Sequence, residues 1–329
     1  MKCVVVKENG NVEKLRVTEM EIPKRDSGEL LIKVHYTAVN RTDIINREGK
    51  AGKLVNPILG VEISGEVVET DENSSFKLGD RVMGLVNSGA YAEYCTIPEG
   101  MAIKLPETLT YEEGAAIPEV FLTAYQTLYW LGGLQENETV LIHAGASGVG
   151  TAAIQLAKKI GKAKVIVTAG SEEKLEFCKK LGADVAINYK EKEFDKIVLD
   201  VTQGKGVDLI LDFVGASYWE KNLNSIKVDG RMVLIGILGG TEVEKMSILQ
   251  LLMKRVQITG TLLTPRTVEY KTLLSQEFSQ KVLPLIEKKI ITPIIDRVFS
   301  IDEIKLAHTY MEENKNMGKI VVRVIENRL

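Results

Sequence analysis

The chain has 329 residues, of which 45% are hydrophobic and 26% charged, as in an ordinary globular protein of about two domains. A formal net charge of −3 gives no general attraction to nucleic acid or to anionic membranes, and no apolar run is long enough to cross a bilayer. The opening MKCVVVKENG carries an apolar run too short for a signal peptide. We therefore expect a cytoplasmic protein that has no membrane partner and is unlikely to bind nucleic acid.

The first hundred residues read as short strands separated by turn-forming pieces such as GKAGK and DENSS. This texture predicts a compact β-rich domain. The predicted strands are 30–39, 61–70, 78–86 and 90–97.

From about residue 122, apolar strands alternate with helical patterns such as 149–161 and 171–182. Strands that are apolar on both faces suit a parallel sheet covered by helices. The pattern predicts an α/β fold with a doubly wound parallel sheet, a Rossmann domain. Its six predicted strands are 139–144, 164–170, 184–189, 207–215, 231–238 and 256–263. A helix over 268–289 and a last strand over 318–324 follow, and we expect that strand to rejoin the first domain.

The potential metal ligands are scattered along the chain, without a disulfide framework or a metal-ligand spacing. We therefore expect no structural zinc. The residues concerned are Cys3, Cys95, Cys178, His35, His143 and His308. Since His143 ends an apolar strand, we interpret it as a packed histidine rather than a catalytic base.

The stretch HAGASGVG, residues 143–150, joins the first Rossmann strand to a helix. Small side chains in such a turn let a pyrophosphate approach the backbone N–H groups at the helix N-terminus. The alternative is a tight strand-to-helix connection. The repeated strand–helix pattern downstream favours dinucleotide binding.

The end of the second Rossmann strand distinguishes the two nicotinamide cofactors. An NAD site places an acidic residue there for the ribose 2′-hydroxyl, whereas this sequence reads TAGSEEK. Ser171 and Tyr189 offer hydroxyls, and Lys174 offers a positive charge suited to a phosphate. The sequence therefore favours NADPH, although Glu172 and Glu173 lie nearby and Lys174 alternatively belongs to a solvated helix face.

Several motifs in order identify a family resemblance that covers nearly the whole chain. The chain resembles the zinc-free quinone oxidoreductase (zeta-crystallin-like) branch of the medium-chain dehydrogenase/reductase superfamily, and within it the p53-inducible subgroup. The motifs that carry the resemblance are AVNRTDIINREG (38–49), LGVEISGEVV (59–68), GAYAEY (89–94), AAIPEVFLTAYQTL (115–128), VLIHAGASGVGTAAIQLAKKIG (140–161) and NKNMGKIV (314–321).

The resemblance implies an architecture and an assembly. A GroES-like catalytic domain, residues 1–121 and 267–329, would flank a Rossmann NADPH-binding domain, residues 122–266, with the active cleft between them. A homodimer would form through the last Rossmann strand, Val256–Leu263, which is otherwise an unprotected sheet edge.

Departures from the zinc-dependent members of the superfamily are informative. Those members carry a cysteine ligand near the position of Asn40 and a His-Glu pair in the next motif. Here Val61 replaces that histidine, Glu62 remains alone, and the cysteine-rich zinc lobe is missing. We therefore expect neither zinc-assisted alcohol oxidation nor any metal-binding residue.

The family's cofactor residues match nine positions of this sequence. Asn40 and Asn316 would lie on the nicotinamide side, Thr123 near the cofactor, Gly148 and Val149 at the pyrophosphate turn, and Ser171, Lys174 and Tyr189 around the 2′-phosphate. The ninth, Ser147, contacts the cofactor or caps the helix, and we weigh these roles equally. Asn40 and Ser147 are candidates for the cleft, without a firm catalytic acid or base. Ala51 replaces a pocket tyrosine, which puts the quinone preference in question.

The resulting hypothesis is a zinc-independent NADPH:quinone oxidoreductase acting on small quinones or enones. A quinone accepts a hydride without a strong protein acid, because it is already electrophilic and solvent can protonate the reduced oxygen. The alternatives are an NADPH-dependent alkenal or enoyl double-bond reductase and a non-catalytic NADPH- or RNA-binding protein.

Overall fold

A computed structural model describes residues 1–50, 52 and 56–325. The chain forms two compact units. The terminal unit combines both chain ends, Met1–Leu122 and Leu263–Leu329, and the central unit is the continuous segment Thr123–Leu262.

Strands of the described residues are numbered here in chain order. They are β1 (Lys2–Val6), β2 (Leu15–Glu19), β3 (Glu29–Val39), β4 (Glu62–Glu69), β5 (Arg81–Leu85), β6 (Tyr94–Pro98), β7 (Ala102–Lys104), β8 (Thr139–Ile142), β9 (Lys164–Ala169), β10 (Val185–Asn188), β11 (Val207–Asp212), β12 (Ile226–Leu234), β13 (Gln257–Gly260), β14 (Ile295–Ser300) and β15 (Lys319–Arg323).

Helices are numbered in the same way. They are α1 (Arg41–Arg47), α2 (Tyr111–Ala115), α3 (Pro118–Tyr125), α4 (Gly148–Lys159), α5 (Glu172–Leu181), α6 (Phe194–Val201), α7 (Trp219–Ser225), α8 (Ile248–Lys254), α9 (Val268–Lys281), α10 (Leu283–Glu287) and α11 (Ile304–Glu312). None of these described helices is long and apolar enough to serve as a membrane span.

The central unit contains one six-stranded sheet in the order β10-β9-β8-β11-β12-β13. Every strand pair in it is parallel. The inner strands β8 and β11 are buried except at Thr139, as the apolar runs of the sequence predict for a sheet covered on both faces. The order corresponds to the doubly wound dinucleotide fold, so the predicted Rossmann sheet is confirmed.

The terminal unit is built on a mixed sheet in the order β14-β15-β3-β4-β5-β7, with β6 also paired to β3. The C-terminal strand β15 runs antiparallel to β3, with Val321 opposite Ala38. The predicted return of the last strand to the first domain is therefore confirmed. This arrangement brings the end of β3 and the starts of β4 and β15 to one edge of the sheet.

Three predicted elements differ from the structure most in their bounds. The helix predicted over 268–289 is broken between α9 and α10, because Pro284 has no N–H and its ring clashes with the preceding turn. The strand predicted over 90–97 begins at Tyr94, since the residues before it form a single bridge from Ala92 to Cys3. The strand predicted over 231–238 begins at Ile226 and ends at Leu234.

Candidate functional site

The turn after β8 leads the chain into the N-terminus of α4. Ala144 adopts a left-handed conformation with φ 50°, and Gly145 N–H donates to the carbonyl of Thr168 at 2.9 Å. Helix α4 then begins at Gly148 and runs for 12 residues. The unsatisfied N–H groups and the positive end of the helix dipole therefore meet at this turn.

Two glycines of the turn are required by close packing. A Cβ on Gly150 would lie 2.4 Å from the carbonyl oxygen of Ala144, and one on Gly145 would lie 2.9 Å from Cβ of Val167. The turn thus packs tightly against its own backbone and against β9, which suits both a structural connection and close approach by a phosphate.

Ser147 is the N-cap of α4. Its Oγ accepts a hydrogen bond from Gly150 N–H at 3.1 Å. A hydroxyl that accepts through a lone pair keeps its proton for a second bond. Capping is therefore observed, and it leaves the hydroxyl able to donate to an anion. Gly148 and Val149 follow as half-buried residues of the first helical turn.

At the carboxyl end of β9, hydroxyl groups stand where an acidic residue would mark an NAD site. Ser171 caps α5 by accepting from Lys174 N–H at 3.4 Å. A Cβ on Gly170 would lie 2.9 Å from the Tyr189 hydroxyl and 3.1 Å from Cε of Lys190. The absence of a side chain at Gly170 therefore lets Tyr189 and Lys190 approach the strand end.

His143 is fully buried and hydrogen-bonded through both ring nitrogens. Nδ1 lies 2.9 Å from Thr168 Oγ1 and Nε2 lies 2.7 Å from Asn222 Oδ1. Asn222 Nδ2 in turn donates to Asp212 at 3.0 Å. Burial lowers the pKa of His143, which keeps the ring neutral. These contacts agree with the interpretation of His143 as a packed residue rather than a base.

In the terminal unit, Asn40 belongs to a closed cluster of three buried polar side chains. Asn40 Nδ2 donates to Glu62 Oε1 at 2.7 Å, and Lys319 Nζ donates to Asn40 Oδ1 at 2.6 Å. Lys319 Nζ also donates to Glu62 Oε1 at 2.7 Å. The three residues are 5%, 0% and 3% exposed in the order Asn40, Glu62, Lys319. We call these three residues the Asn40 cluster. Glu62, which has no neighbouring histidine in the sequence, is therefore paired with Asn40 and Lys319.

A second buried chain of hydrogen bonds begins at the backbone of Asn40. Asn40 N–H donates to Asp43 Oδ2 at 2.8 Å, and the Tyr91 hydroxyl lies 3.0 Å from the same oxygen. Tyr91 lies 3.1 Å from His308 Nε2, and Arg47 Nη1 lies 3.2 Å from His308 Nδ1.

This chain of hydrogen bonds has a defined direction, from donor to acceptor. Because a guanidinium only donates, Nδ1 of His308 accepts and Nε2 carries the ring proton. Tyr91 therefore accepts from His308 and donates to Asp43. Burial raises the pKa of Asp43 to about 7, while burial and the Arg47 charge lower the pKa of His308 to about 3.

The remaining sequence-predicted residues occupy separate places. Thr123 is buried in α3, and its carbonyl accepts from Thr127 Oγ1 at 2.7 Å. Asn316 is half-buried and donates through Nδ2 to the carbonyl of Gly318 at 2.8 Å. Ala51 lies outside the described residues. Among residues 1–50, 52 and 56–325, no three His, Cys, Asp or Glu side chains converge in a way that would hold a metal ion.

Two family models match the chain. The Alcohol dehydrogenase GroES-like domain matches residues 26–107, and the Zinc-binding dehydrogenase model matches residues 148–287. The first lies in the terminal unit, and the second covers most of the central unit and continues beyond it.

Curated relatives match along most of their length. Quinone oxidoreductase-like protein 2 of Bos taurus is 31% identical over 89% of this chain and 84% of its own. Quinone oxidoreductase of Rattus norvegicus is 30% identical over 98% of this chain and 97% of its own. The chain therefore belongs to the medium-chain dehydrogenase/reductase superfamily, among its quinone oxidoreductase-like members, and is an oxidoreductase of that superfamily.

Solved structures share the fold. The Escherichia coli quinone oxidoreductase complexed with NADPH has a TM-score of 0.91 at 27% identity, covering 98% of this chain and 100% of its own. A mycobacterial protein complexed with NADPH has a TM-score of 0.89 at 30% identity, with the same coverage. The JamJ enoyl reductase has a TM-score of 0.86 at 28% identity and covers 98% of both chains.

Sequence reasoning missed three features of these sites. Lys319 begins the last strand as an ordinary lysine in GKIV, and only the return of β15 to β3 brings it to Glu62. Lys190 directly follows Tyr189, so its position next to a predicted 2′-phosphate residue could have indicated it as a further cofactor residue. The hydrogen bonds of Tyr91 to His308 and Asp43 have no local sequence signature.

Proposed function

We propose that the protein is a zinc-independent NADPH:quinone oxidoreductase that passes reducing equivalents from NADPH to small quinones in the cytoplasm. The observation that carries the cofactor assignment is the end of β9. There Ser171 and Tyr189 present hydroxyls and Lys190 a positive charge. The quinone assignment is supported by the relatives that bear that name. The three cysteines are all free, which agrees with a reducing compartment.

The residues of the central unit fit NADPH. The turn at the N-terminus of α4 is a ready-made anion site, because the first helical N–H groups lack intrahelical acceptors and the positive end of the helix dipole lies there. Ser147 has a hydroxyl proton to donate, and Gly148 and Val149 complete the turn. Ser171, Lys174, Tyr189 and Lys190 would hold the 2′-phosphate, because hydroxyls and ammonium groups bind that dianion.

NADPH, when bound, supplies the hydride. The chain's own residues bind and orient, since a quinone needs no strong acid from the protein. In our proposal, Thr123, Asn40 and Asn316 serve the nicotinamide end. Val61 and the amide of Asn40 are not metal ligands, and Glu62 is already bonded to Lys319, so this donor set does not suit zinc.

We further propose that the protein is a homodimer formed with a second copy of the chain through Val256–Leu263. In the described sheet, β13 is an edge strand that pairs only with β12. Helix α8, which precedes it, exposes an apolar face that is 63–69% accessible. An edge strand flanked by exposed apolar side chains is normally covered. The exposed residues of α8 are Ile248, Leu249, Leu252 and Met253.

An NADPH-dependent alkenal or enoyl reductase is the second candidate, favoured by the likeness to the enoyl reductase structure. The test is oxidation of NADPH and of NADH, followed by the loss of nicotinamide absorbance, with an ortho-naphthoquinone, a para-quinone and a simple alkenal. We expect fast turnover with NADPH and a quinone. Turnover with the alkenal alone would replace the proposal by the second candidate. Tight NADPH binding without any turnover would favour a non-catalytic role, to be followed by a salt-dependent RNA titration.

A further inference from the structure

The Asn40 cluster contains more charge than folding requires at a buried position. We infer that Lys319 and Glu62 are positioning residues, which together fix the orientation of the Asn40 carboxamide. This inference rests on the proposed function, in which Asn40 serves the nicotinamide end of the cofactor.

The chemistry of the partners determines which end of the amide faces which neighbour. An ammonium group only donates hydrogen bonds and a carboxylate only accepts them. The amide oxygen must therefore face Lys319, and the amide nitrogen must face Glu62, as observed. A flip of the amide would lose both hydrogen bonds and replace each by a repulsive contact. The cluster thus selects one of two orientations that are otherwise nearly isosteric.

Stability alone does not account for this arrangement. A buried ion pair pays a desolvation penalty, and apolar replacements of equal volume are often neutral or stabilising. Glu62 and Lys319 lie at the starts of β4 and β15, the two strands that flank β3, and Asn40 follows the end of β3. Glu62 is itself held, because its Oε2 accepts from Glu119 N–H at 2.9 Å in the first turn of α3.

The backbone of Asn40 is fixed separately from its side chain. Its N–H donates to Asp43, which does not belong to the Asn40 cluster. Removing the Lys319 ammonium frees the amide oxygen of Asn40 and also removes the hydrogen bond from Nζ to the Val39 carbonyl at 3.3 Å, whereas the Asn40 N–H stays bonded to Asp43. One lone pair of Oδ1 is not used within the cluster, so the orientation of the amide decides whether a ligand meets an acceptor or a donor.

The chain offers a matched control for this test. Lys271 is also a buried lysine of the terminal unit, 1% exposed, and its ammonium donates to Asn87 and to the carbonyl of Thr264. Lys271→Met removes the same charge as Lys319→Met from another buried position, where the ammonium bonds to neutral oxygens, and it does not touch the Asn40 cluster.

Two readouts separate positioning from folding. The first is the side-chain amide resonance of Asn40 in the free protein, assigned by its loss in Asn40→Ser. We expect its protons to exchange with solvent at least about tenfold faster in Lys319→Met, because the amide oxygen loses the donor that holds the carboxamide in one orientation, and to be unchanged in Lys271→Met. The second is the kinetics with NADPH and a quinone, alongside the Kd for NADPH from its fluorescence.

In Lys319→Met we expect kcat to fall about 10- to 100-fold, with the Kd for NADPH within about threefold of the wild type, because misplacing a reacting ring is costly while the phosphates still bind. The deuterium isotope effect with 4-deuterated NADPH should rise. Lys271→Met should leave kcat and the isotope effect unchanged.

Equal effects of Lys319→Met and Lys271→Met on exchange and on kcat would overturn the inference. If Lys319→Met does not fold, Lys319→Gln decides, since glutamine can bond to either end of the Asn40 amide and should still release its orientation. A wild-type protein without turnover would defeat the proposed function, whereas the exchange measurement would still decide whether Lys319 holds Asn40.

Discussion

The Oγ of Ser147 accepts a hydrogen bond from the backbone N–H of Gly150 at 3.1 Å. This relationship assigns Ser147 a capping role, and it leaves the hydroxyl proton able to donate to an anion. The two roles can be separated by mutation, because glycine replaces a serine cap at little cost whereas alanine does not.

We expect Ser147→Gly to lower the free energy of unfolding by only a few tenths of a kcal/mol, and Ser147→Ala to lower it by about 1 kcal/mol. Both variants should weaken NADPH binding by a similar factor of about 3 to 10, the usual value of one hydrogen bond. Urea unfolding and NADPH fluorescence titration measure the two effects. Unchanged NADPH affinity in Ser147→Gly would leave capping as the sole role of this serine.

Lys174→Ala tests the phosphate assignment. We expect the ratio of kcat/KM for NADPH to that for NADH to fall about 10- to 100-fold, because a charge-assisted hydrogen bond contributes about 1.5 to 3 kcal/mol. Lys180→Ala, on the same helix and exposed, is the control and should leave the ratio unchanged. A cofactor preference that survives in Lys174→Ala would mean that this lysine belongs to a solvated helix face.

Asp43 and His308 have opposite effects on how stability depends on pH. The raised pKa of Asp43 makes the folded state hold a proton that the unfolded state releases, so its contribution to stability falls as pH rises from 3.8 to about 7. The lowered pKa of His308 makes the unfolded state hold the extra proton, so its contribution rises between about pH 3 and 6.5. Between pH 3.8 and 6.5 the two contributions to the free energy of unfolding change with pH in opposite directions and cancel.

Replacing Asp43 or His308 should leave the other residue's effect on the pH dependence of the free energy of unfolding uncompensated. Relative to the wild type, we expect the free energy of unfolding of Asp43→Asn to rise by about 1.4 kcal/mol per pH unit between pH 4 and 6.5. His308→Gln should show a slope of the opposite sign in the same window. Urea unfolding at a series of pH values measures both. Variants whose profiles run parallel to the wild type would show that neither pKa is shifted as described.

Leu252→Glu tests the proposed dimer. We expect sedimentation to show a dimeric wild-type protein and a largely monomeric variant, because the substitution places a charge in the apolar face of α8. Leu78→Glu is the control, since Leu78 is 67% exposed, nearly the same as Leu252 at 69%, and belongs to the terminal unit rather than to the unit that contains β13. A monomeric wild-type protein, or equal behaviour of the two variants, would refute the dimer through Val256–Leu263.

The sequence predicts the central sheet well and the side-chain clusters poorly, for a physical reason. Parallel strands buried on both faces are apolar runs, so the pattern locates them to within a few residues. Helix α1 and its neighbours are too short to display a periodic pattern. The break at Pro284 could be predicted, because proline in a helix interior removes a backbone hydrogen bond and clashes with the preceding turn, whereas the first turn tolerates it.

Contacts between distant residues leave no local signal. Lys319 and Glu62 are separated by 257 positions, and Arg47 and His308 by 261. Each residue looks ordinary in its own segment, and Lys319 meets Glu62 only when the sheet places β15 against β3. The residues around Tyr189 were more accessible to prediction, since they follow consecutive strands of one sheet and share its carboxyl edge.

The late position of β15 also governs the order in which the chain can fold during its synthesis. The central unit is one continuous segment, and it is complete once residue 262 has left the ribosome. At that moment the first 122 residues still lack β14, β15 and the lysine that neutralises Glu62. Because domains fold as units as they emerge, the middle of this protein can be finished first. The N-terminal part lacks the strand that pairs with β3 and the lysine that pairs with Glu62 until residues 319–323 are made.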